Sequence, residues 1–189
     1  MNAPARKLMT AEEFLTWCLG QEGRWELVGG VPTCAMVGAT RRHDAIVVNL
    51  IYRLRGRLAG GRCSPQTADQ AVRTGVDSIR RPDVTVDCGP TADDALEASR
   101  PTAVFEVLSP STRKTDRFRK LEEYKAIEGL AHVALIDPDK PIVLLYTRAS
   151  ESTWTHHEYQ GLDASLPLTA VSADLPLAEI YEGLAFEPE

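Results

Sequence analysis

The sequence lacks the features that would place the protein in or across a membrane. No apolar run reaches the roughly 18 residues that a spanning helix needs. The opening "MNAPARKLMT" also lacks the apolar segment of a signal peptide. We therefore expect a cytoplasmic protein with no membrane partner. A length of 189 residues suits a single domain over residues 1–189.

Cysteine pairs at metal-binding spacing are absent too. The four cysteines are scattered and form no C-x-x-C motif, which argues against a zinc site. A disulfide framework is not expected in a reducing compartment, and free cysteine is commonly a small buried residue. We therefore predict unpaired core residues at Cys18, Cys34, Cys63 and Cys88.

Positive charge is absent from the last part of the chain. Residues 151–189 contain eight acids and no Lys or Arg, and the formal net charge of the whole chain is −6 at pH 7. This balance argues against a protein that coats nucleic acid. Bases cluster instead within residues 53–62 and 113–120, where they could contact phosphates locally. A solvated helix face is an equally good interpretation of the first cluster.

Hydrophobic periodicity predicts an α/β (α+β) domain. Thr10 and Glu13 form a capping-box pattern before a helix of about ten residues. Apolar residues at three- and four-residue steps predict a second helix over 43–58. Residues 60–75 are ambiguous and fit one irregular strand. The predicted order, α-β-β-α-β-β-β-α-β-β-β, suits a mixed β-sheet flanked by α-helices.

Two consecutive predicted strands each carry an acid. "PDVTVDC" alternates and places Asp83, Thr85 and Asp87 on one face. "TAVFEVL" is apolar apart from Glu106, which is typical of a central strand covered on both faces. Neighbouring strands would bring Asp83 and Glu106 to one end of the sheet, where they repel unless a cation lies between them. Oxygen-only ligands suit Mg²⁺ or Mn²⁺, so this pair is a candidate metal site. Taken singly, Asp83 also fits a strand-start residue, and Glu106 equally fits a buried ion-pair partner.

A lysine in the following helix completes the candidate site. If the helix begins near Thr115, then Asp116, Lys120 and Tyr124 share one face. Lys120 could stabilise a pentacovalent phosphorane or orient an attacking water. The same stripe could instead be a helix-face salt bridge worth about 0.3–0.5 kcal/mol.

Other titratable residues fit the site less well. Asp87 is either a second ligand or a solvent-facing acid, and we favour the solvent-facing interpretation. His156 and His157 point to opposite faces of one strand, so we predict surface positions rather than a shared ion. No sequence context places a cysteine beside a base, which argues against a Cys–His nucleophile.

Five motifs together resemble a known family. "WELVGG", "RPDV", "VFEVLSPST", "DRFRKLEEY" and "LIDP" are similar to the Uma-type endonucleases of the PD-(D/E)xK restriction-endonuclease-like superfamily, over about residues 8–182. The resemblance implies a restriction-endonuclease-like sheet flanked by helices. It also implies Mg²⁺-dependent hydrolysis of phosphodiester bonds in DNA, with the metal held by Asp83 and Glu106.

The resemblance extends to further residues, with one departure. It implies that Glu26 lines the same site and that His43 could contact the substrate there. A histidine at a helix start more often makes a local backbone hydrogen bond. The superfamily has a lysine two residues after the second acid, and Leu108 stands there in this chain. The family is understood to place the lysine in the following helix, which fits Lys120.

Three functional interpretations stay open at the level of sequence. The leading one is a metal-dependent endodeoxyribonuclease. The alternative is a catalytically inactive nuclease-fold module that binds DNA or a protein partner. A phosphodiesterase acting on small nucleotides would use the same residues. A homodimer is a reasonable expectation because cutting both strands of a duplex needs two sites, although no residue demonstrates it.

Overall fold

The structure is a computed structural model that describes residues 8–35, 38–90, 92–108 and 114–186, with side chains in the third helix described from Phe118 onward. Its α-helices are α1 (Ala11–Cys18), α2 (Arg41–Arg57), α3 (Lys114–Lys125) and α4 (Leu177–Ile180). Its strands are β1 (Trp25–Val28), β2 (Val31–Cys34), β3 (Ser64–Thr67), β4 (Val72–Gly75), β5 (Ser78–Arg80), β6 (Val84–Asp87), β7 (Pro101–Val107), β8 (His132–Ile136), β9 (Ile142–Arg148), β10 (Trp154–Gln160), β11 (Ser165–Leu168) and β12 (Ala173–Pro176).

A six-stranded mixed sheet forms the centre of the fold, in the order β10-β9-β8-β7-β6-β3. Only the β7–β8 pair in this sheet is parallel. Parallel neighbours need a crossover connection, and α3 lies in the chain between β7 and β8. The prediction of a mixed sheet flanked by helices is confirmed.

Strand β7 is central and covered on both faces, as predicted. On one face Phe105 packs with Ile46 and Leu50 of α2. On the other face Val104 packs with Leu121 and Tyr124 of α3. Full burial of a side chain such as Phe105 stabilises the fold by roughly 1.5–3 kcal/mol, so the two helices are fixed against opposite sides of one strand.

A smaller antiparallel sheet has the order β2-β1-β5-β4 and packs against α1. The capping box of Thr10 and Glu13 is present at the start of α1. Gly29 and Gly30 make the β1–β2 hairpin turn with φ angles of 56° and 76°, which favour glycine. These features confirm the predicted helix and hairpin.

The region around residues 60–75 differs from its prediction. The chain forms two short strands there, β3 and β4, and β5 follows immediately. Strand β3 joins the edge of the central sheet, while β4 and β5 join the small sheet. Segments of three or four residues are too short to show a two-residue alternation. The hairpin of β11 and β12 was missed for the same reason.

The prediction of unpaired core cysteines is wrong for Cys63, Cys88 and Cys34. Cys63 and Cys88 form a disulfide that links residues 25 apart in sequence. They flank the Ser64–Asp87 pair of the β3–β6 ladder, so strand pairing rather than sequence spacing brings them together. Cys34 is exposed because it lies at the outer edge of the small sheet.

One expectation about the surface agrees with the structure. His156 and His157 are both exposed on β10, at the edge of the central sheet. Within the described ranges, no helix is long and apolar enough to cross a membrane.

Candidate functional site

The ladder between β6 and β7 brings the two predicted acids together. Val84 pairs with Phe105, so Asp83 and Glu106 stand one step further along, opposite each other. The Asp83 Oδ2 atom accepts a hydrogen bond of 2.8 Å from the backbone N–H of Val107. The side chains of Asp83 and Glu106 are only 12% and 16% exposed. Two carboxylates therefore share one poorly solvated end of the sheet.

His43 reaches Asp83 from the first turn of α2. Its Nε2 atom lies 3.3 Å from Asp83 Oδ2. The Thr40 hydroxyl caps the helix by accepting from the backbone N–H of His43 at 3.2 Å. The hydrogen bond to Asp83 raises the pKa of His43, with burial opposing it. A protonated His43 donates to Asp83 and fixes the orientation of that carboxylate.

Glu106 sits among groups that act on its charge in opposite directions. Burial, helped by the nearby charge of Asp83, raises the pKa of Glu106 to about 7 against the opposing effects of Lys120 and the Tyr124 hydrogen bond. The Tyr124 hydroxyl donates a hydrogen bond of 2.6 Å to Glu106 Oε1. Near neutral pH, Glu106 is therefore partly protonated, and a cation that bound it would displace the proton to solvent.

Lys120 lies on α3 between two carboxylates. Its Nζ atom is 3.0 Å from Glu26 Oε1 and 3.6 Å from Glu106 Oε1. Burial disfavours the ammonium, but Glu106 and Glu26 outweigh this and raise the pKa of Lys120 above its ordinary value. Lys120 is therefore a permanent cation at the site. It takes its place beside Glu106 from the helix, whereas Leu108 occupies the strand position.

The predicted α3 stripe is described in part. Lys120 and Tyr124 share a face and both reach Glu106, and Tyr124 is fully buried. The side chain of Asp116 lies outside the described residues. The structure thus assembles Glu26, His43, Lys120 and Tyr124 around the two acids, and their roles stay predictions.

Two charged residues near the site escaped the sequence analysis. Arg80 is 1% exposed and donates to Glu26 at 2.9 Å. It also makes hydrogen bonds of 2.7 and 2.9 Å to Glu123. In the sequence, Arg80 precedes another arginine and Glu123 follows another glutamate, which is typical of exposed surface. A three-residue step from Lys120 to Glu123 was the one available signal.

Asp87 corrects another prediction. It is 1% exposed rather than solvent-facing. Its carboxylate accepts the backbone N–H groups of Gly89, Ser99 and Arg100 at 3.1, 2.9 and 2.8 Å. The chain after β6 folds back over this carboxylate, so Asp87 organises a loop.

The donor atoms at Asp83 and Glu106 fit a hard divalent cation. Among the described residues, no hydrogen bond reaches Asp83 Oδ1 or Glu106 Oε2. No group of three or more His, Cys, Asp or Glu side chains in the same ranges is arranged to hold a metal. Mg²⁺ typically uses one or two carboxylates and keeps several waters. Two carboxylates with one unengaged oxygen each match that habit.

Two cavities differ in their relation to the site. A small cavity of about 20 Å³, lined by Glu106, Lys120 and Tyr124 among others, has room for about one water. A wider cavity of about 500 Å³, lined by residues including Cys18 and Arg81, contains none of the predicted site residues. The smaller cavity therefore adjoins the candidate site, and the wider one lies away from it.

Known proteins are similar to this chain in sequence and in fold. A family model described as "Uma2: Putative restriction endonuclease" matches residues 11–178. An uncharacterized protein from Synechocystis sp. (strain PCC 6803) is 31% identical over 187 residues, which cover 98% of this chain and 97% of that protein. The crystal structure of a putative nuclease belonging to DUF820 from Anabaena variabilis has a TM-score of 0.71 at 20% identity, and covers 92% of this chain and 97% of that one. That likeness confirms the restriction-endonuclease-like fold, and by the family model this chain belongs to the Uma2 family.

Proposed function

We propose that the protein is a metal-dependent endonuclease that hydrolyses phosphodiester bonds in DNA. One observation carries the proposal. Asp83 and Glu106 stand opposite each other across β6 and β7, and the Lys120 ammonium lies 3.6 Å from Glu106. Two carboxylates and a fixed cation at one sheet end can bind a metal and a phosphate together.

Asp83 and Glu106 are the residues that would hold Mg²⁺ or Mn²⁺. A divalent cation in such a site polarises a phosphoryl oxygen and lowers the pKa of a bound water. His43 and the Val107 N–H keep Asp83 in place, and Tyr124 holds one oxygen of Glu106. Each carboxylate is thus oriented by the protein while its second oxygen stays available.

Lys120 would act on the phosphate rather than on a proton. A lysine whose pKa is raised keeps its ammonium form and makes a poor general base. A fixed positive charge stabilises the negative charge that develops on the phosphoryl oxygens during displacement. This role requires Lys120 to be held rigidly, because a misplaced charge stabilises the transition state less.

Nicking of supercoiled plasmid DNA with Mg²⁺ or Mn²⁺ tests the proposal. We expect metal-dependent nicking by the wild type and its loss in Asp83→Ala and in Lys120→Ala. The exposed residues Asp94 and Lys140 supply matched controls, and Asp94→Ala and Lys140→Ala should nick at the wild-type rate.

The same assay separates the competing functions. A folded wild type that nicks no DNA form with either metal would reject the nuclease proposal in favour of a binding module. Hydrolysis of bis(p-nitrophenyl) phosphate without plasmid nicking would instead favour a small-nucleotide phosphodiesterase. Sedimentation velocity with and without DNA tests the proposed homodimer.

A further inference from the structure

Three ion pairs connect Lys120 to Glu123 of its own helix, and the backbone of α3 closes the ring. Lys120 Nζ lies 3.0 Å from Glu26 Oε1. The other oxygen of Glu26 accepts from Arg80 at 2.9 Å. Arg80 then donates twice to Glu123, at 2.7 and 2.9 Å. Because Glu123 follows Lys120 by three residues on α3, the chain of charges begins and ends on one helix.

The ring is fixed by its surroundings as well as by its own bonds. The Arg80 side chain is 1% exposed and the Glu26 side chain 7%. The backbone N–H of Arg81 donates to Glu26 at 3.2 Å, and the Thr74 hydroxyl donates to Glu123 at 3.1 Å. The planar guanidinium of arginine contacts both carboxylates in set directions, which a lysine cannot do. Each carboxylate is therefore held from two sides.

The ring leaves Glu106 outside it. Lys120 and Arg80 supply two positive charges, and Glu26 and Glu123 supply two negative charges. Exposed Arg119 adds a third positive charge, 3.0 Å from Glu123. Lys120 is closer to Glu26, at 3.0 Å, than to Glu106, at 3.6 Å. If the ion pair between Lys120 and Glu26 were lost, the ammonium would move closer to Glu106 and neutralise a carboxylate that a metal needs.

We propose that Arg80 and Glu123 are positioning residues that act through Glu26 to hold the Lys120 ammonium closer to Glu26 than to Glu106. Glu106 then stays available to a divalent cation, a part of the inference that rests on the proposed function. None of the three residues needs to touch the substrate. Their contribution is the position of one ammonium group.

Selective amine labelling tests the ring without any assay of activity. The protein is treated with N-hydroxysuccinimidyl acetate, and the modification rate of Lys120 is compared with that of exposed Lys140 by mass spectrometry. We expect strong protection of Lys120 in the wild type. Glu123→Gln should raise its labelling about tenfold, because a broken buried ion pair frees its members. The conservative Glu123→Asp should stay within about twofold of the wild type.

The control variant breaks a similar pair elsewhere. Glu97 accepts two hydrogen bonds of 3.0 Å from Arg73, away from the site. Glu97→Gln should leave Lys120 labelling unchanged. Arg80→Lys replaces Glu123→Gln as the test if the latter does not fold. The lysine keeps the buried positive charge but cannot make the two directed hydrogen bonds of the guanidinium, so we expect Lys120 to be labelled about threefold faster. Unchanged Lys120 protection in these ring variants, even with a lower melting temperature, would reduce the ring to a structural role.

Manganese titration and cleavage kinetics then connect the ring to the site. In Glu123→Gln, we expect the Mn²⁺ dissociation constant to rise about threefold as Lys120 competes for Glu106, and kcat to fall about tenfold with KM for plasmid unchanged. If the wild type cuts no DNA but Lys120 labelling changes in the ring variants as expected, the proposed function is rejected and the positioning role of the ring stands. If the wild type cuts DNA but the ring variants show no change in Lys120 labelling, the proposed function stands and the positioning role of the ring is rejected.

Discussion

Asp83 and Asp87 offer a comparison within one short stretch of chain. Asp83 directly precedes strand β6 and Asp87 ends it, so the two aspartates lie four residues apart on the same face. Three backbone N–H groups saturate Asp87, those of Gly89, Ser99 and Arg100. Asp83 has one backbone N–H and one histidine, both at Oδ2.

The number of hydrogen-bond donors separates the two roles. A carboxylate whose oxygens are all engaged by the backbone stabilises a loop and has nothing left for a ligand. A carboxylate with one oriented oxygen and one unengaged oxygen is prepared for a metal. Burial separates these two acids less clearly than hydrogen bonding does, because Asp83 is 12% and Asp87 1% exposed.

The largest expected effect is on catalysis, from Asp83→Asn. The amide can keep the hydrogen bond from Val107 but loses the charge that a cation needs. We expect cleavage to fall at least about 1,000-fold, which corresponds to about 4 kcal/mol of transition-state stabilisation. The melting temperature should change little. Plasmid cleavage rates and thermal unfolding measure the two quantities, and retained cleavage would remove Asp83 from the metal site.

Asp87→Asn should produce the opposite pattern. The variant weakens a set of buried hydrogen bonds to a charged acceptor, each worth about 1.5–3 kcal/mol. We expect a free energy of unfolding lower by about 2 kcal/mol in urea titrations. Cleavage per folded molecule should equal that of the wild type. A catalytic defect without loss of stability would show that Asp87 serves the site after all.

The pH dependence of metal binding sharpens the comparison further. A metal in the proposed site would bind the ionised form of Glu106, whose pKa is about 7, so protons would compete with it below that pH. The Mn²⁺ dissociation constant should fall about tenfold between about pH 6 and pH 8. Titration calorimetry measures this trend. Asp87→Asn should preserve the trend, and an equal affinity across this range in the wild type would contradict the assigned role of Glu106.

The smallest effect is expected from His43→Gln. The amide can still donate to Asp83 but carries no charge, so it orients the carboxylate less firmly. We expect cleavage to fall about threefold, or about 0.7 kcal/mol, with no change in stability. Single-turnover cleavage rates measure this. A loss as large as that of Asp83→Asn would instead give His43 a direct part in the chemistry.

Features that depend on local pattern could be predicted from the sequence. The capping box at Thr10 and the hairpin at Gly29 follow from nearest neighbours in the chain. The meeting of Asp83 with Glu106 follows from strand alternation and the adjacency of consecutive strands. Lys120 follows from helical spacing within a motif. Each inference needed only one element or two adjacent ones.

Features that depend on distant pairing could not be predicted. The Arg80–Glu123 pair joins residues 43 apart, and its burial arises only when α3 packs near β5. Cys63 and Cys88 meet through the β3–β6 register. The saturation of Asp87 needs a loop to fold back over it. In each case the chemistry of the residue depends on a neighbour that sequence periodicity does not identify.

The placement of the site cation on a helix has a consequence for the strand that carries Glu106. Leu108, two residues beyond Glu106, packs with the apolar cluster formed by β7, β8 and α3. A charged side chain at that position would bring water toward the acid. With leucine at position 108, the end of β7 contributes apolar packing, while α3 contributes the positive charge beside Glu106. The strand supplies the poorly solvated environment that raises the pKa of Glu106, and α3 supplies the Lys120 ammonium beside it.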